Sequence, residues 1–381
     1  MQQTSTVFDS VKSVLRRFWF AINVVVVLFL LLSCLASYVS PAKAWIIALV
    51  GLSFPYLALL NLLFLFTWIM RGRKQLLLSL AAFVISWPQM TAVVQIPFVK
   101  IFGVSKEEKQ ASKIKVLSYN VRSFNYLEWN KNKATRDQII DFVYNFNPDV
   151  ICFQEYFQEL PDKKKKKKPY DIEYKLRRWP YHYKWVKPVM GGEFGSATFS
   201  RYPIVRHGYF QFKNSDNLTI YTDIKIDKDT VRFYNNHLQS YRFDKDDYAL
   251  VDSISTGSSP KKTSSFRRIG SRLKRAFIQR SQQTDTIARH AKMSPYPVFI
   301  CGDFNDTPSS YTYHRMKGNR KDAFMEAGWG ISNTYAGDFP SFRIDYILYN
   351  PIYKAIAYHS PRLGYSDHYP VTSVLIKRLR K

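Results

Sequence analysis

The chain opens with long uncharged apolar runs and changes near Lys113 to short segments in which apolar and polar residues alternate. Residues 18–39, FWFAINVVVVLFLLLSCLASYV, carry no charge over 22 positions, and residues 44–70 form a second uncharged run. About 20 apolar helical residues cross the hydrocarbon core, so both predict transmembrane helices. A third run over 76–99 is long enough but contains Pro88, Gln89, Gln95 and Pro97. It either spans or lies partly in the interface, and three helices are preferred to two. Residues 1–100 are therefore expected to be a membrane anchor and 101–381 a separate domain.

Beyond Lys113, KIKVLSYNV reads as a strand from its β-branched and aromatic content. A helix follows over Thr135–Phe146, with Ile139, Ile140 and Val143 on one face. DVICFQE is a buried strand, and further strands are expected over Tyr181–Val186, Ser196–Ser200, Ile204–Phe212, Leu218–Ile226 and Val231–Asn236. Residues 252–265, rich in Ser, Gly, Lys and Thr, predict a flexible basic insertion. A helix over Arg268–His290 leads to strands at Val298–Gly302, Phe342–Tyr349, Ala355–His359 and Val371–Ile376. Many strands and few helices predict an α+β layered sandwich.

A cleaved signal peptide is the plain alternative for the first run, since Arg16 and Arg17 precede it and Ala42-Lys43-Ala44 resembles a cleavage site. Its apolar core exceeds the usual signal length, and more apolar sequence follows at once. The same objection meets a lipoprotein reading with Cys34 lipidated. Basic residues set the orientation. Lys12, Arg16 and Arg17 precede the first helix, and Arg71, Arg73 and Lys74 follow the second, while the first loop offers only Lys43. The N-terminus and the Arg71–Lys74 loop then face the cytoplasm. Three crossings put the large domain on the non-cytoplasmic, periplasmic side of an integral multi-pass protein; two crossings leave it inside.

The formal charge of the chain is +27, of which +20 falls beyond residue 100. Such an excess favours phosphate-bearing partners, either nucleic acid or an anionic lipid surface. Lys163–Lys168 is an unbroken lysine run, and Lys261–Arg280 holds eight basic residues and no acidic one. A like-charge block is more often a solvated, self-repelling loop than a site. Cys34 lies in an apolar run, and Cys152 and Cys301 sit in buried strands, so there is no disulfide framework. No feature fixes an oligomeric state.

Polar groups recur where the buried strands end. Asn120 closes SYN, Glu155 closes CFQE, and His237 follows a strand in NNH. Asp303 and Asn305 stand in CGDFND, Asp345 in RIDYI, and Asp367 and His368 in YSDHYPV. Any one of them alone caps a turn as readily as it does chemistry. Six such places in one domain point to a common cleft. Carboxylate and amide oxygens are hard ligands suited to Mg²⁺, with Mn²⁺ or Ca²⁺ as alternatives, and poor for zinc. A hard cation beside histidines suits phosphoester hydrolysis by activated water. No GxSxG elbow or P-loop is present, which disfavours a serine hydrolase or an NTP-driven enzyme.

The ordered set SYN, QE, NHLQS, GDFND, RIDY and SDHYPV, with GSATFSRYPI before the histidine strand, resembles the endonuclease/exonuclease/phosphatase superfamily. That superfamily includes pancreatic-type deoxyribonucleases, AP endonucleases and neutral sphingomyelinases; this chain looks like a membrane-anchored bacterial-type member. The resemblance runs from about Lys113 to Ile376 and implies a four-layered αββα sandwich, with the site at one edge of two packed sheets. It implies that Glu155 is the principal metal ligand with Asn120 beside it, and that Asp303 and Asn305 position water and phosphate. His368 would be the general base oriented by Asp345. Asp367 would bind metal or support that histidine, and His237 would contact phosphate and protonate the leaving group. The carboxylate that some members place near the second histidine is not evident, with Glu193 a candidate.

Substrate is less determined. FRIDYIL stands where inositol phosphatases carry Trp-Cys-Asp-Arg, which disfavours that branch and favours a phosphodiesterase or nuclease. A phospholipid-headgroup phosphodiesterase of the sphingomyelinase kind is the alternative, since basic residues near a bilayer gain about 1 kcal/mol each from anionic lipid. Two non-enzymatic readings, a membrane-tethered binding module that has lost the chemistry and a structural membrane protein whose domain docks a partner, are the rivals from other classes.

Overall fold

The computed structural model describes residues 2–95, 111–129, 131–161, 169–213, 215–241, 243, 263–337 and 342–378. The lysine run at 163–168 and most of the expected insertion at 252–265 lie outside these residues, and 263–265 already belong to a helix.

The first apolar run forms one helix, α1 (Gln2–Leu35), whose stretch Ser10–Leu35 is long and apolar enough to cross a membrane. The second run departs from the expected single helix over 44–70. It folds as α2 (Pro41–Leu52) and α3 (Phe54–Met70), bent by 52° at Ser53. Pro55 explains the break, because it has no N–H and its ring displaces the carbonyl four residues back. That carbonyl belongs to Gly51 and accepts instead from the Ser309 hydroxyl at 3.0 Å. The third run is likewise broken, into α4 (Leu76–Ile85) and α5 (Trp87–Val93), bent by 64° with Pro88 in the second piece. It stops short of the expected residue 99, because Val94–Gln95 turn extended as β1 and pair with β11 (Gly330–Ile331). Residues 96–99 lie outside the described ones. The described residues thus hold one helix fit to cross a membrane, or up to three if each bent pair is a single span.

Among these helices a buried polar cluster links three of them through hydrogen bonds. The Asn23 amide donates to the Ser79 hydroxyl at 3.0 Å, the Trp68 indole donates to Asn23 at 2.9 Å, and Asn61 donates to the Ser79 carbonyl at 3.0 Å. These bonds tie α1, α3 and α4 together where apolar packing alone gives little specificity.

Two six-stranded sheets make up the rest. The first runs β10 (Lys321–Asp322), β12 (Asp345–Tyr349), β9 (Val298–Asp303), β8 (Asp229–His237), β7 (Leu218–Ile226), β6 (Ile204–Gln211). The second runs β13 (Tyr353–His359), β14 (Val371–Lys377), β2 (Lys113–Asn120), β3 (Val150–Glu159), β5 (Gly192–Ser200), β4 (Tyr181–Val189). Their facing sides share one core, in which Val116, Val150 and Cys152 meet Val231, Phe299 and Ile347. Each fully buried aliphatic or aromatic side chain there contributes about 1.5–3 kcal/mol. On the other face of the second sheet, Ile139, Ile140 and Val143 of α6 (Thr135–Phe146) pack with Leu117, Ile151 and Phe153. On the other face of the first, Ile287 and Ala291 of α8 (Thr263–Lys292) pack with Tyr234 and Ile300. The short α7 (Ile172–Lys175) lies between α6 and α8 in the chain.

This topology places the site. The parallel pair β2–β3 is joined through α6, and the parallel pair β8–β9 through α8. Parallel neighbours run to the same edge, so the tips of β8 and β9 carry His237 and Asp303 together, and Asn120 at the end of β2 lies opposite Gln154. Glu155 does not close its strand as expected: it sits at the irregularity within β3, which continues to Glu159. Antiparallel β12 starts where β9 finishes, with Asp345 opposite Asp303. Antiparallel β14 enters at Val371 opposite Ser118, which brings the preceding His368 to the same end.

Candidate active site

Eight residues from scattered positions converge at that edge. The Asn120 amide donates to Glu155 at 3.3 Å and to Asp303 at 3.2 Å, bridging the two sheets. Nε2 of His237 stands 3.7 Å from Glu155 and 3.8 Å from Asp303. Nε2 of His368 stands 3.7 Å from the same Asp303 oxygen, and its Nδ1 lies 3.0 Å from Asp345 Oδ2. Asp303 accepts from the backbone and side-chain amides of Asn305, at 2.8 and 3.0 Å, and the Asn305 amide also donates to the Leu238 carbonyl.

Local backbone choices aim these groups. Glu155 has φ 49 and sits where the β3–β5 register slips between Phe153 and Tyr156, so a bulge re-aims its carboxylate. Asn305 has φ 53, a left-handed conformation that Asn tolerates better than most residues. Gly302, with φ 125, precedes Asp303, and a Cβ there would overlap the backbone of Asn236. Only glycine lets β9 approach β8 this closely. Ser366 donates to the Asn120 carbonyl at 2.7 Å and accepts from the His368 backbone at 3.2 Å, fixing the last loop against β2.

Electrostatics follow from burial. Desolvation lifts the Glu155 carboxyl above the usual range, with the Asp367 charge adding to it. Burial lifts Asp303 to about 6, against the lowering pull of His368. Burial alone would depress His368, but Asp345 and Asp303 reverse this and hold the imidazole well above its ordinary value. Buried carboxylates crowded in this way favour a cation among them. One oxygen each from Asp303 and Asp345 and one His368 nitrogen lie within 4.8 Å of one another. Since the Asp345–His368 contact is already a hydrogen bond, the less engaged Glu155 carboxylate fits a hard cation better, with Asn120 next to it.

Asp367 stands differently from the other expected ligands. Its Oδ2 lies 3.2 Å from the Arg122 guanidinium, which also stacks 4.5 Å from the Trp129 ring. Arg122 was not singled out by the sequence; only its place two residues after Asn120 was a signal. Thr334, whose hydroxyl accepts from the Asp345 backbone at 3.0 Å, and Tyr335, bridged to His368, also emerge only in three dimensions. Glu193 is not brought to the cleft, being paired with Lys184 at 3.2 Å. The cleft has a volume of about 480 Å³, and Glu155, His237, Asp303, Asn305, Asp367 and His368 all line it.

Residues 117–368 match the model of the endonuclease/exonuclease/phosphatase family, and residues 16–93 match a domain of unknown function. No curated protein matches the chain. Similar solved structures include an endonuclease/exonuclease/phosphatase from Beutenbergia cavernae, with 15% identity, TM-score 0.48, and coverage of 70% of this chain and 72% of that one. One from Bacteroides vulgatus has 16% identity and TM-score 0.48, covering 70% of this chain and 100% of that one. The catalytic domain of human nocturnin with bound sulfate has 15% identity and TM-score 0.46, covering 70% and 94%.

Proposed function

The chain belongs to the endonuclease/exonuclease/phosphatase family, and from that premise we propose that it is a membrane-anchored, divalent-metal-dependent phosphoester hydrolase. The observation that carries the proposal is the convergence of Glu155, His237, Asp303 and His368 in one cleft, with Asn120 hydrogen-bonded to Asp303 and Asp345 to His368.

The roles follow from position. His368, held through Nδ1 by Asp345, presents Nε2 to the cleft and takes the proton from an attacking water. Asp303 and Asn305 hold that water in line with the leaving oxygen. As the new P–O bond forms and the ester P–O bond breaks, His237 supplies a proton to the departing oxygen. Arg122, at the rim beside Asp367, is placed to meet a phosphate oxygen. Glu155 and Asn120 would hold the cation, which when bound polarises the phosphoryl oxygen as a Lewis acid. Mg²⁺ suits these oxygen donors best, with Mn²⁺ or Ca²⁺ as alternatives.

Anchoring rests on Ser10–Leu35 and the two bent helix pairs. With three crossings and the basic residues counted above, the hydrolase domain, about 101–381, faces the non-cytoplasmic side. The test incubates the purified full chain in detergent with Mg²⁺ or Mn²⁺ and DNA, RNA, phospholipid and phosphorylated-sugar substrates. Cleavage is expected with at least one, abolished by chelation and by His368→Ala. Cleavage untouched by both changes would overturn the assignment.

A further inference from the structure

The cleft that holds the acidic and histidine side chains has a second wall of different character. Leu49, Leu52 and Tyr56, around the α2–α3 break, line it together with Ile269 and Leu273 of α8 and Phe342. Leu49 and Tyr56 keep 37% and 57% of their surface exposed, so apolar area is left open where a solvated polyanion would gain nothing from it.

The level of the cleft is set by two hydrogen bonds. Ser37, just past the end of α1, donates to the Ser309 carbonyl at 3.0 Å, and the Ser309 hydroxyl donates to Gly51 at 3.0 Å. Ser309 follows Asn305 by four residues. The end of α1 and the catalytic edge are thus latched to the same turn, so with α1 across a bilayer, as proposed above, the cleft lies at the bilayer–water boundary. α8 adds five basic residues between Arg267 and Arg275 on the helix that supplies Ile269 and Leu273, a composition that suits an anionic lipid surface.

We infer that the substrate is a phosphodiester carried by a membrane lipid. Its phosphate sits at Glu155, Asp303 and His368, and the first part of its hydrocarbon chain lies against the wall built by α2, α3 and α8. This rests on the hydrolase reading above and names its substrate class. A nucleic acid offers no hydrocarbon for the wall and would set charged phosphates against leucines.

The experiment uses the full chain in detergent micelles with Mg²⁺ and p-nitrophenyl phosphodiesters whose second ester is methyl, butyl or octyl, alongside a single-stranded oligonucleotide. Burying a methylene is worth up to about fourfold in kcat/KM, so the octyl ester is expected to exceed the methyl ester by at least about tenfold. The Leu49→Asn, Leu273→Asn double variant is expected to cut the octyl-to-methyl ratio at least about fivefold. Equal kcat/KM along the ester series in the wild-type chain, or the oligonucleotide as the best substrate by tenfold, would overturn the inference while leaving the hydrolase reading in place. No cleavage of any substrate, or cleavage unaffected by His368→Ala, would remove both.

Discussion

His368 Nδ1 lies 3.0 Å from Asp345 Oδ2, while the other ring nitrogen stands 3.7 Å from Asp303. The imidazole is thus held by one carboxylate and aimed past another into the cleft, which fixes both its tautomer and its direction. Asp345 itself is 1% exposed and is held in place at its backbone by Thr334. Replacing Asp345 with Asn should keep the fold and lower kcat by about 10²–10⁴-fold, the range for losing an oriented base. Steady-state kinetics on any cleaved phosphodiester would check this; a loss under threefold would deny the pair its role.

The raised His368 proton affinity carries a pH consequence. A base must be deprotonated, so log kcat/KM should climb with pH and level off above the ordinary imidazole value of 6.5. Asp303→Asn removes one of the three carboxylate charges, Asp345, Asp303 and Asp367, that favour the protonated ring, so the residual activity should level off at lower pH. A limb that moves upward in that variant would contradict the assignment.

Asp303 makes a separate statement about stability. Burial raises its carboxyl from an ordinary value of 3.8 to about 6 in the folded chain. Between these values the folded state keeps a proton that the unfolded state has released, so raising the pH through this window costs stability. In EDTA, the urea midpoint of the wild-type chain should fall from pH 4 to 6 relative to that of Asp303→Asn. Parallel curves would show that the burial of this carboxyl has no such effect.

Glu155→Gln removes the carboxylate best placed for a hard cation. The wild-type melting temperature should rise on adding Mg²⁺ or Mn²⁺, by an amount that grows with ion concentration over Kd. The variant should show less than a quarter of that rise. Equal shifts would place the ion elsewhere.

Asn23 joins Trp68 and Ser79 among the apolar helices. Asn23→Leu leaves the indole N–H and the Ser79 hydroxyl without that partner, and interhelical bonds of this kind are worth about 0.6–2 kcal/mol. The thermal midpoint of the full chain in detergent should drop by a few degrees. An unchanged or raised midpoint would show the cluster to be dispensable.

Much of this arrangement was legible in the chain because local pattern and tertiary packing agree. The helix Thr135–Phe146 has the bounds expected from its apolar face, and Asn147 ends it in a left-handed conformation with φ 56. Asn120, His237 and Asp303 close their strands as expected, because a polar residue closing an apolar run is visible without knowing what it meets. Glu155 instead lies inside β3, at a bulge that the apolar run did not signal. The breaks in the apolar helices were not legible either. Pro88 counted against the third run without fixing where it breaks, the hydropathy around Pro55 masked that break, and the Ser309 partner of Gly51 is distant in sequence. Arg122 was hidden for another reason. Its contact with Asp367 depends on residues 122–125 running through φ values of 41 to 59, a left-handed turn that ordinary side chains rarely adopt and no propensity signals.

The most direct test of the central claim is anomalous diffraction from crystals of the full chain grown with Mn²⁺. The account expects a manganese peak against the Glu155 carboxylate, in the cleft shared with His368, and its loss in Glu155→Gln. Ordered manganese found only elsewhere, with none in this cleft at saturating concentration, would contradict it.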